Sequence, residues 1–205
     1  MPSSKNTTFA TTKRMDKAMT HLDKTFEEIT YTGKVIEDRE FENCTFKKCD
    51  FSDSEFPNNR FIDCTFEACN LSMMKLNGTT LNNAVFTHCK ILGVIFTDCH
   101  DFLFSVRFEN CVLDYASFMR KKMLKTHFIH SSLKEVNFSQ ANLSNAVFDG
   151  TDLSGALFNT TNLTGANFVT AFNYAIDPEL NTIKKASFAM QGLPGLLLRH
   201  QLKIV

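Results

Sequence analysis

The chain of 205 residues contains no tryptophan, only four prolines and no net charge, since 22 basic residues balance 22 acidic ones. A neutral chain has no general attraction for nucleic acid or for an anionic membrane, so we expect direct binding to neither. There is no stretch of about 18 apolar residues, and residues 1–30 hold no apolar run of the kind that a signal peptide needs. These absences predict a cytoplasmic protein.

Phenylalanine, by contrast, is abundant, with 21 residues, and it recurs with a period of five. From Ile36 to Phe96 every fifth residue is apolar, and after a shift of two residues around 101–103 the pattern resumes at Leu103 and runs to Phe168. All 27 of these central positions hold Phe, Leu, Ile or Met. Helices repeat near 3.6 residues and strands at 2.0, so a period of five predicts that the chain turns once per repeat and points one large side chain inward.

The residue two places before each central position must also face inward, where only a small group fits. Alanine and threonine occupy this place late in the chain, as at Ala141, Ala146 and Thr151. Asn or Asp often precedes the central residue, and Ser or Thr often follows it. These residue types favour turns because their side chains bond to nearby backbone groups.

The segment ANLSNAVFDGTDLSGALFNTTNLTGANF, residues 141–168, resembles the pentapeptide-repeat family, and the resemblance extends over residues 36–168. It implies an all-β fold, a right-handed quadrilateral β-helix with four repeats per coil. The residues support a coil of twenty independently, because Phe108, Phe128, Phe148 and Phe168 keep one residue type at that spacing. With adjacent coils about 4.8 Å apart, about seven coils predict a rod on the order of 33 Å long.

We divide the chain into an N-terminal arm over 1–24, flexible or with a short helix over 15–24, a β-helix over 25–172 and a small helical cap over 173–205. Asp177 and Pro178 suit the N-cap and first position of a helix, a second short helix is predicted over 193–201, and 202–205 suggests a strand. This end resembles the quinolone-resistance branch of the family, which implies a homodimer. A monomer whose helix covers the last coil is the alternative. The candidate dimer contacts are Leu196, Leu197, Leu202 and Ile204.

The cysteines offer a possible metal site, since two C-x4-C pairs would suit zinc. However, all seven stand two places before a position of the five-residue frame, which favours buried packing of reduced thiols and leaves metal or redox chemistry as the alternative. None of the six histidines is spaced with a carboxylate and a nucleophile as a catalytic site requires, so we predict no enzyme, metal or cofactor. Lys121 also falls at an inward position, which predicts a distorted backbone with the ammonium reaching water. The cysteines are Cys44, Cys49, Cys64, Cys69, Cys89, Cys99 and Cys111.

Charge is the remaining guide to function. The quinolone-resistance and toxin-immunity branches are thought to mimic DNA and bind type II topoisomerases. Duplex DNA carries one charge per about 1.7 Å, whereas residues 35–172 hold only 16 acidic against 12 basic residues. We therefore expect a non-enzymatic rod that binds a macromolecular partner. The alternative is a protein that binds DNA gyrase or topoisomerase IV and protects it from quinolones or toxins.

The most acidic part of the repeats is their first coil, which is the candidate partner-binding patch. A solvated acidic surface with no partner is the alternative reading of the same residues. The patch comprises Glu37, Asp38, Glu40, Glu42, Asp50, Asp53 and Glu55.

Overall fold

The computed structural model describes residues 19–203, in which short parallel strands stack into a four-sided β-helix of about eight turns. Short 3-10 helices lie at Phe96–Asp98, Met190–Leu196 and Leu198–His200. The strands are β1 (Met19–Leu22), β2 (Thr25–Glu27), β3 (Arg39–Glu42), β4 (Thr45–Lys47), β5 (Arg60–Ile62), β6 (Thr65–Glu67), β7 (Thr80–Asn82), β8 (Ala84–Thr87), β9 (Val106–Glu109), β10 (His127–Ile129), β11 (Val147–Asp149), β12 (Asn167–Phe168) and β13 (Ser187–Phe188).

The chain visits four faces in turn, and one segment of a face is here called a rung. Face 1 is a nine-stranded parallel sheet made of β2, β4, β6 and β8 to β13. Faces 2 and 3 are held by isolated parallel bridges, such as Asp50 with Asn70 on face 2 and Glu55 with Lys75 on face 3. Face 4 begins with the sheet β1, β3, β5 and β7 and continues as bridges from Lys122 onward. Face 4 is therefore opposite face 2.

Phenylalanine fills the interior because each rung places its central side chain directly over the one below. On face 1 all nine central residues are Phe, and consecutive rings stack with centroids 4.6 to 5.5 Å apart. Rings from face 1 also meet those of faces 3 and 4 edge to face, as Phe108 does with Phe118 at 5.8 Å. Aromatic pairs in these geometries add about 0.5–1.5 kcal/mol beyond the burial of their area. The nine are Phe26, Phe46, Phe66, Phe86, Phe108, Phe128, Phe148, Phe168 and Phe188.

Most corners between faces are made by the second residue after the central one, which adopts a left-handed backbone. Asp63, Asn83 and Asn145 do so with φ of 52°, 53° and 57°. Among non-glycine residues, Asn and Asp tolerate this region best. At Gly165, with φ of 68°, a Cβ would also overlap the side chain of Asn145 on the next rung. Local turn preference and packing between rungs thus act at the same positions.

The predicted two-residue shift is confirmed by the strand register. Phe86 pairs with Phe108, 22 residues on, whereas Phe108 pairs with Phe128, 20 residues on. The extra residues lie on face 4, in an insertion formed by residues 100–105. Leu103 was predicted as the central residue there, but it is 55% exposed with φ of 58°, and Phe104 packs inside instead. The prediction for Leu103 was wrong because the inserted backbone turns outward before it re-enters the frame.

Both ends differ from the sequence prediction in detail. A helix over 15–24 was wrong for Met19–Leu22, because these residues pair with β3 as the first strand, while 15–18 lie outside the described residues. The helix expected from Asp177 is only a turn over 178–180, in which the Asp177 carboxylate accepts a hydrogen bond from the Glu179 amide. The second helix is replaced by the two 3-10 helices, and 202–203 form no strand. Phe188 falls on the five-residue frame and continues the face 1 column, and with the rung at His21 the turns number about eight, against the expected seven.

Candidate protein-interaction surfaces

The interior has no room for a substrate. The cavity inside the solenoid measures about 20 Å³ and is lined only by apolar side chains. The cavity lies in the turn where the central residues of faces 2 to 4 are leucines, whereas the preceding turn has phenylalanines there. Leu76, for example, lies above Phe56. Ligand pockets are commonly 300–1,000 Å³ and carry a few convergent polar groups, so this void is a packing defect.

The cysteines occupy the inward small-residue position, as predicted, and all seven are buried free thiols. Cys49 and Cys69 lie on adjacent rungs, and their thiols donate hydrogen bonds to the carbonyl oxygens of Lys47 and Glu67. Burial raises the pKa of the Cys64 and Cys99 thiols to about 12, which keeps them protonated and unreactive. No group of three or more potential metal ligands occurs within residues 19–203.

The seven carboxylates of the candidate acidic patch lie on three faces. Glu40 and Glu42 are on β3 of face 4. Asp50 belongs to face 2, where hydrogen bonds from the Ser52 hydroxyl and amide lower the pKa of its carboxyl group. Glu55 belongs to face 3. Of the other three, Glu37 follows the central residue of face 3, Asp38 forms the corner between faces 3 and 4, and Asp53 forms the corner between faces 2 and 3.

Basic side chains on adjacent rungs pair with several carboxylates in the N-terminal half. In each case the two partners are twenty residues apart, so one stands directly above the other. Such exposed pairs contribute little to stability, about 0–1 kcal/mol each, but they break up any run of negative charge along the rod. The pairs are Glu28 with Lys48 at 3.5 Å, Glu40 with Arg60 at 2.9 Å, Lys47 with Glu67 at 3.3 Å and Glu55 with Lys75 at 2.6 Å.

The insertion on face 4 is held by a buried lysine. The Lys121 ammonium was predicted to reach water, but the side chain is only 2% exposed and its Nζ donates to the Cys99 carbonyl at 2.5 Å and to Asp101 Oδ1 at 2.8 Å. It also lies 5.0 Å from the centroid of the Phe104 ring. The prediction was wrong because the inserted residues bring a carboxylate and a carbonyl oxygen to the ammonium.

The contacts of Lys121 with Cys99 and Asp101 hold in place a segment that presents apolar side chains to solvent. Phe102 is 78% exposed and Leu103 55%, although they lie between Asp101, whose carboxylate bonds to Lys121, and the buried Phe104. Leu124, on the next rung of face 4, is 56% exposed. The five-residue period reveals the shift of register but not the exposure of Phe102, since a single apolar residue in a loop carries no periodic signal.

The C-terminal end also carries exposed apolar surface. An open groove of about 1010 Å³ runs between the last coil and the 3-10 helices and is lined by residues that include Phe172, Tyr174 and Leu198. Of the candidate dimer contacts, Leu202 is 58% exposed and Leu197 36%, whereas Leu196 packs partly against the core. Ile204 lies outside the described residues. No helix within residues 19–203 is long and apolar enough to cross a bilayer.

These features define a rigid four-sided solenoid with a filled core. A family profile described as "Pentapeptide repeat region" matches residues 39–118, and one described as "Pentapeptide repeats (8 copies)" matches 125–159 and 141–171. The chain belongs to the pentapeptide-repeat family. No match was found among curated protein sequences.

Solved structures show the same fold and a resemblance to the quinolone-resistance branch. Two trypsin-treated variants of QnrB1, described as a plasmid-mediated fluoroquinolone resistance protein, superpose with TM-scores of 0.64 and 0.60, both at 19% identity. The alignments cover 89% and 92% of this chain and 100% and 99% of those structures. At this identity the likeness concerns the fold.

Proposed function

We propose that this protein is a non-enzymatic rod that binds a macromolecular partner through face 4, with the insertion at 100–105 as the central contact. The observation that carries the proposal is the exposure of Phe102 and Leu103 on a segment that a buried lysine holds in place. Because Lys121 already holds the backbone on the N-terminal side of Phe102, ordering this segment costs less on binding, which favours recognition. Aromatic residues, Phe included, are also enriched at protein interfaces relative to the rest of the surface.

The filled core supports a binding role over catalysis. Inside the solenoid, over the described residues, the columns of stacked rings leave only a small apolar void, so the interior offers no polar groups for catalysis. The buried thiols fit a reducing compartment, so the proposal includes a cytoplasmic location.

Site-specific photo-crosslinking tests this proposal. A photoreactive phenylalanine analogue replaces Phe102 in one variant and Leu157 in a control, since Leu157 is a similarly exposed apolar residue, at 53%, on face 3. We expect a discrete crosslinked adduct in cells from position 102 and little from position 157. Equal adducts from both positions, or none from position 102, would contradict the proposal.

A homodimer through the cap remains a prediction, and the exposure of Leu197 and Leu202 supports it. Aspartate at both positions would place charge in such an interface. If the cap forms a dimer, light scattering should give the mass of a dimer for the wild type and the mass of a single chain for the L197D/L202D variant. An unchanged mass for a folded variant would remove the cap from consideration.

Protection of a type II topoisomerase is the second candidate function, and the similarity of fold to QnrB1 favours it. The pairing of acids with bases on adjacent rungs weighs against mimicry of DNA, because a duplex presents unbroken negative charge. Titration of the purified protein into a gyrase supercoiling assay, with and without a quinolone, decides the matter. Inhibition of supercoiling or rescue from the drug at micromolar protein would support this candidate, and no effect would eliminate it.

A further inference from the structure

Face 4 is divided by charge into two halves on either side of the insertion. It has nine rungs, whose central positions run from His21 to Ile183, and the insertion at 100–105 is the fifth. The first four rungs carry four carboxylates against the guanidinium groups of Arg39 and Arg60. Arg39 is half-buried, and Arg60 pairs with Glu40. The carboxylates are Asp23, Glu40, Glu42 and Asp63.

The last four rungs carry only positive charge. Lys122 and Lys125 stand on the sixth rung and Lys184 and Lys185 on the ninth, and all four are exposed. None of them has an ion pair with another described residue, and no carboxylate lies on face 4 after Asp101 in the part of the chain described. The two rungs between them present only small uncharged residues, which leave the lysines reachable by a flat partner. These residues include Asn142, Ser144, Asn145, Asn162 and Thr164.

The middle of the face is apolar. Phe102 and Leu103 on the fifth rung adjoin Leu124 on the sixth, and all three are more than half exposed. A two-fold axis perpendicular to the rod near this point would set the acidic half of one copy against the basic half of another. The apolar residues of both copies would then meet at the centre. Two-fold contacts of this kind require a self-complementary patch, which this face supplies.

We propose that a second copy of this chain binds face 4 in antiparallel orientation, with the insertions together at the centre. Lys184 and Lys185 then lie opposite the other copy's Asp23. The two lysines of the sixth rung lie one rung from its Asp63. This inference rests on the proposed function, since it names the partner of the same surface. The contact is lateral, along the rods, and differs from the predicted contact through the cap.

The size of the face indicates a weak and salt-sensitive contact. Nine rungs about 4.8 Å apart extend over about 38 Å, and three extended residues give a width of about 10 Å, so two copies bury on the order of 800 Å² in total. Stable interfaces bury roughly 1,200–2,000 Å². Charge complementarity at such an interface raises the association rate and sets the orientation, and screening by salt weakens it.

Exchange of charge between the halves provides the test. In one variant the acidic half becomes basic through Asp23→Lys, Glu42→Lys and Asp63→Lys. In the other the basic half becomes acidic through Lys122→Glu, Lys125→Glu and Lys184→Glu. All six sites are exposed, and Lys125 shows that lysine tolerates the corner position of Asp23 and Asp63.

We expect each variant alone to associate less than the wild type, because like charges then face each other. The two variants mixed should associate at least about tenfold more tightly than either does with itself, and this preference should fade as salt rises. Sedimentation velocity with one variant fluorescently labelled measures both quantities. Any contact through the cap is common to all the proteins and cannot produce the preference.

Asp53→Lys and Glu135→Lys provide a matched control, since both residues form corners beside the opposite face with φ of 55° and 57°. This control should associate as the wild type does. Absence of preferential pairing between folded face 4 variants would overturn the second copy as occupant. If the crosslink from position 102 then joins a different protein, the proposed function stands without this inference, and if no adduct forms, both fail.

Discussion

Among the central residues of face 3, Leu76 stands between Phe56 on the preceding rung and Phe96 on the following one. Its side chain lines the internal cavity. Leu76→Phe should fill that space and complete the stack. Removing about 20 Å³ of cavity at about 24 cal/mol per Å³ gives roughly 0.5 kcal/mol, and new ring pairs add about 0.5–1.5 kcal/mol. We expect the free energy of unfolding to rise by about 1 to 2 kcal/mol.

The assay is thermal or denaturant unfolding of the wild type and of two matched variants. Leu143→Phe is the control, because Leu143 is also a fully buried central leucine but does not line the cavity. Extra carbon atoms in a well-packed core typically cost about 1–3 kcal/mol, so this control should be less stable than the wild type. Equal destabilisation by both substitutions would refute the argument that a shortage of volume near Leu76 limits the core.

Three further predictions follow from buried polar groups. Asp101→Ala should lower the free energy of unfolding by about 1 to 2 kcal/mol, less than for a fully buried ion pair because Asp101 is largely exposed. In a Lys121→Met background the same substitution should have no further effect. A double-mutant cycle measured by urea unfolding checks this. Burial, with smaller contributions from Lys24 and Arg39, lowers the pKa of His21. The unfolded chain therefore takes up the proton first, and stability that is present above about pH 6.5 should fall as the pH drops below it, except in His21→Phe. The pKa of the Cys64 and Cys99 thiols is raised to about 12, and all seven thiols are buried. We therefore expect the native protein to resist a thiol reagent at pH 8 and all seven cysteines to react in denaturant. Rapid labelling of the native protein would contradict their burial.

The sequence was sufficient to predict the solenoid because each repeat repeats the same physical requirement. A large apolar residue at Phe148, a small one at Ala146 and a left-handed turn at Gly150 together indicate one side of a coil. Every repeat adds the same evidence, so the fold class did not depend on any single residue. The positions of the cysteines followed from the same frame.

What the sequence could not predict depends on contacts formed only once. The reversal of roles between Leu103 and Phe104 depends on how the inserted backbone turns, and the burial of Lys121 depends on Asp101 and the Cys99 carbonyl meeting it. The spread of the acidic patch over three faces required each residue to be placed on its rung. Residues 189–203 lack the period, which is why the bounds of the helices there did not follow from the sequence.

Face 4, with the insertion at its centre, is proposed above to bind a second copy of this chain. Hydrogen exchange of the wild-type protein, compared between dilute and concentrated low-salt solutions, tests it most directly. We expect protection at high concentration to increase for backbone amides of 100–105 and 122–125 and to stay constant on face 2, around Asp114 and Lys134. Unchanged exchange on face 4, or protection confined to face 2, would contradict it.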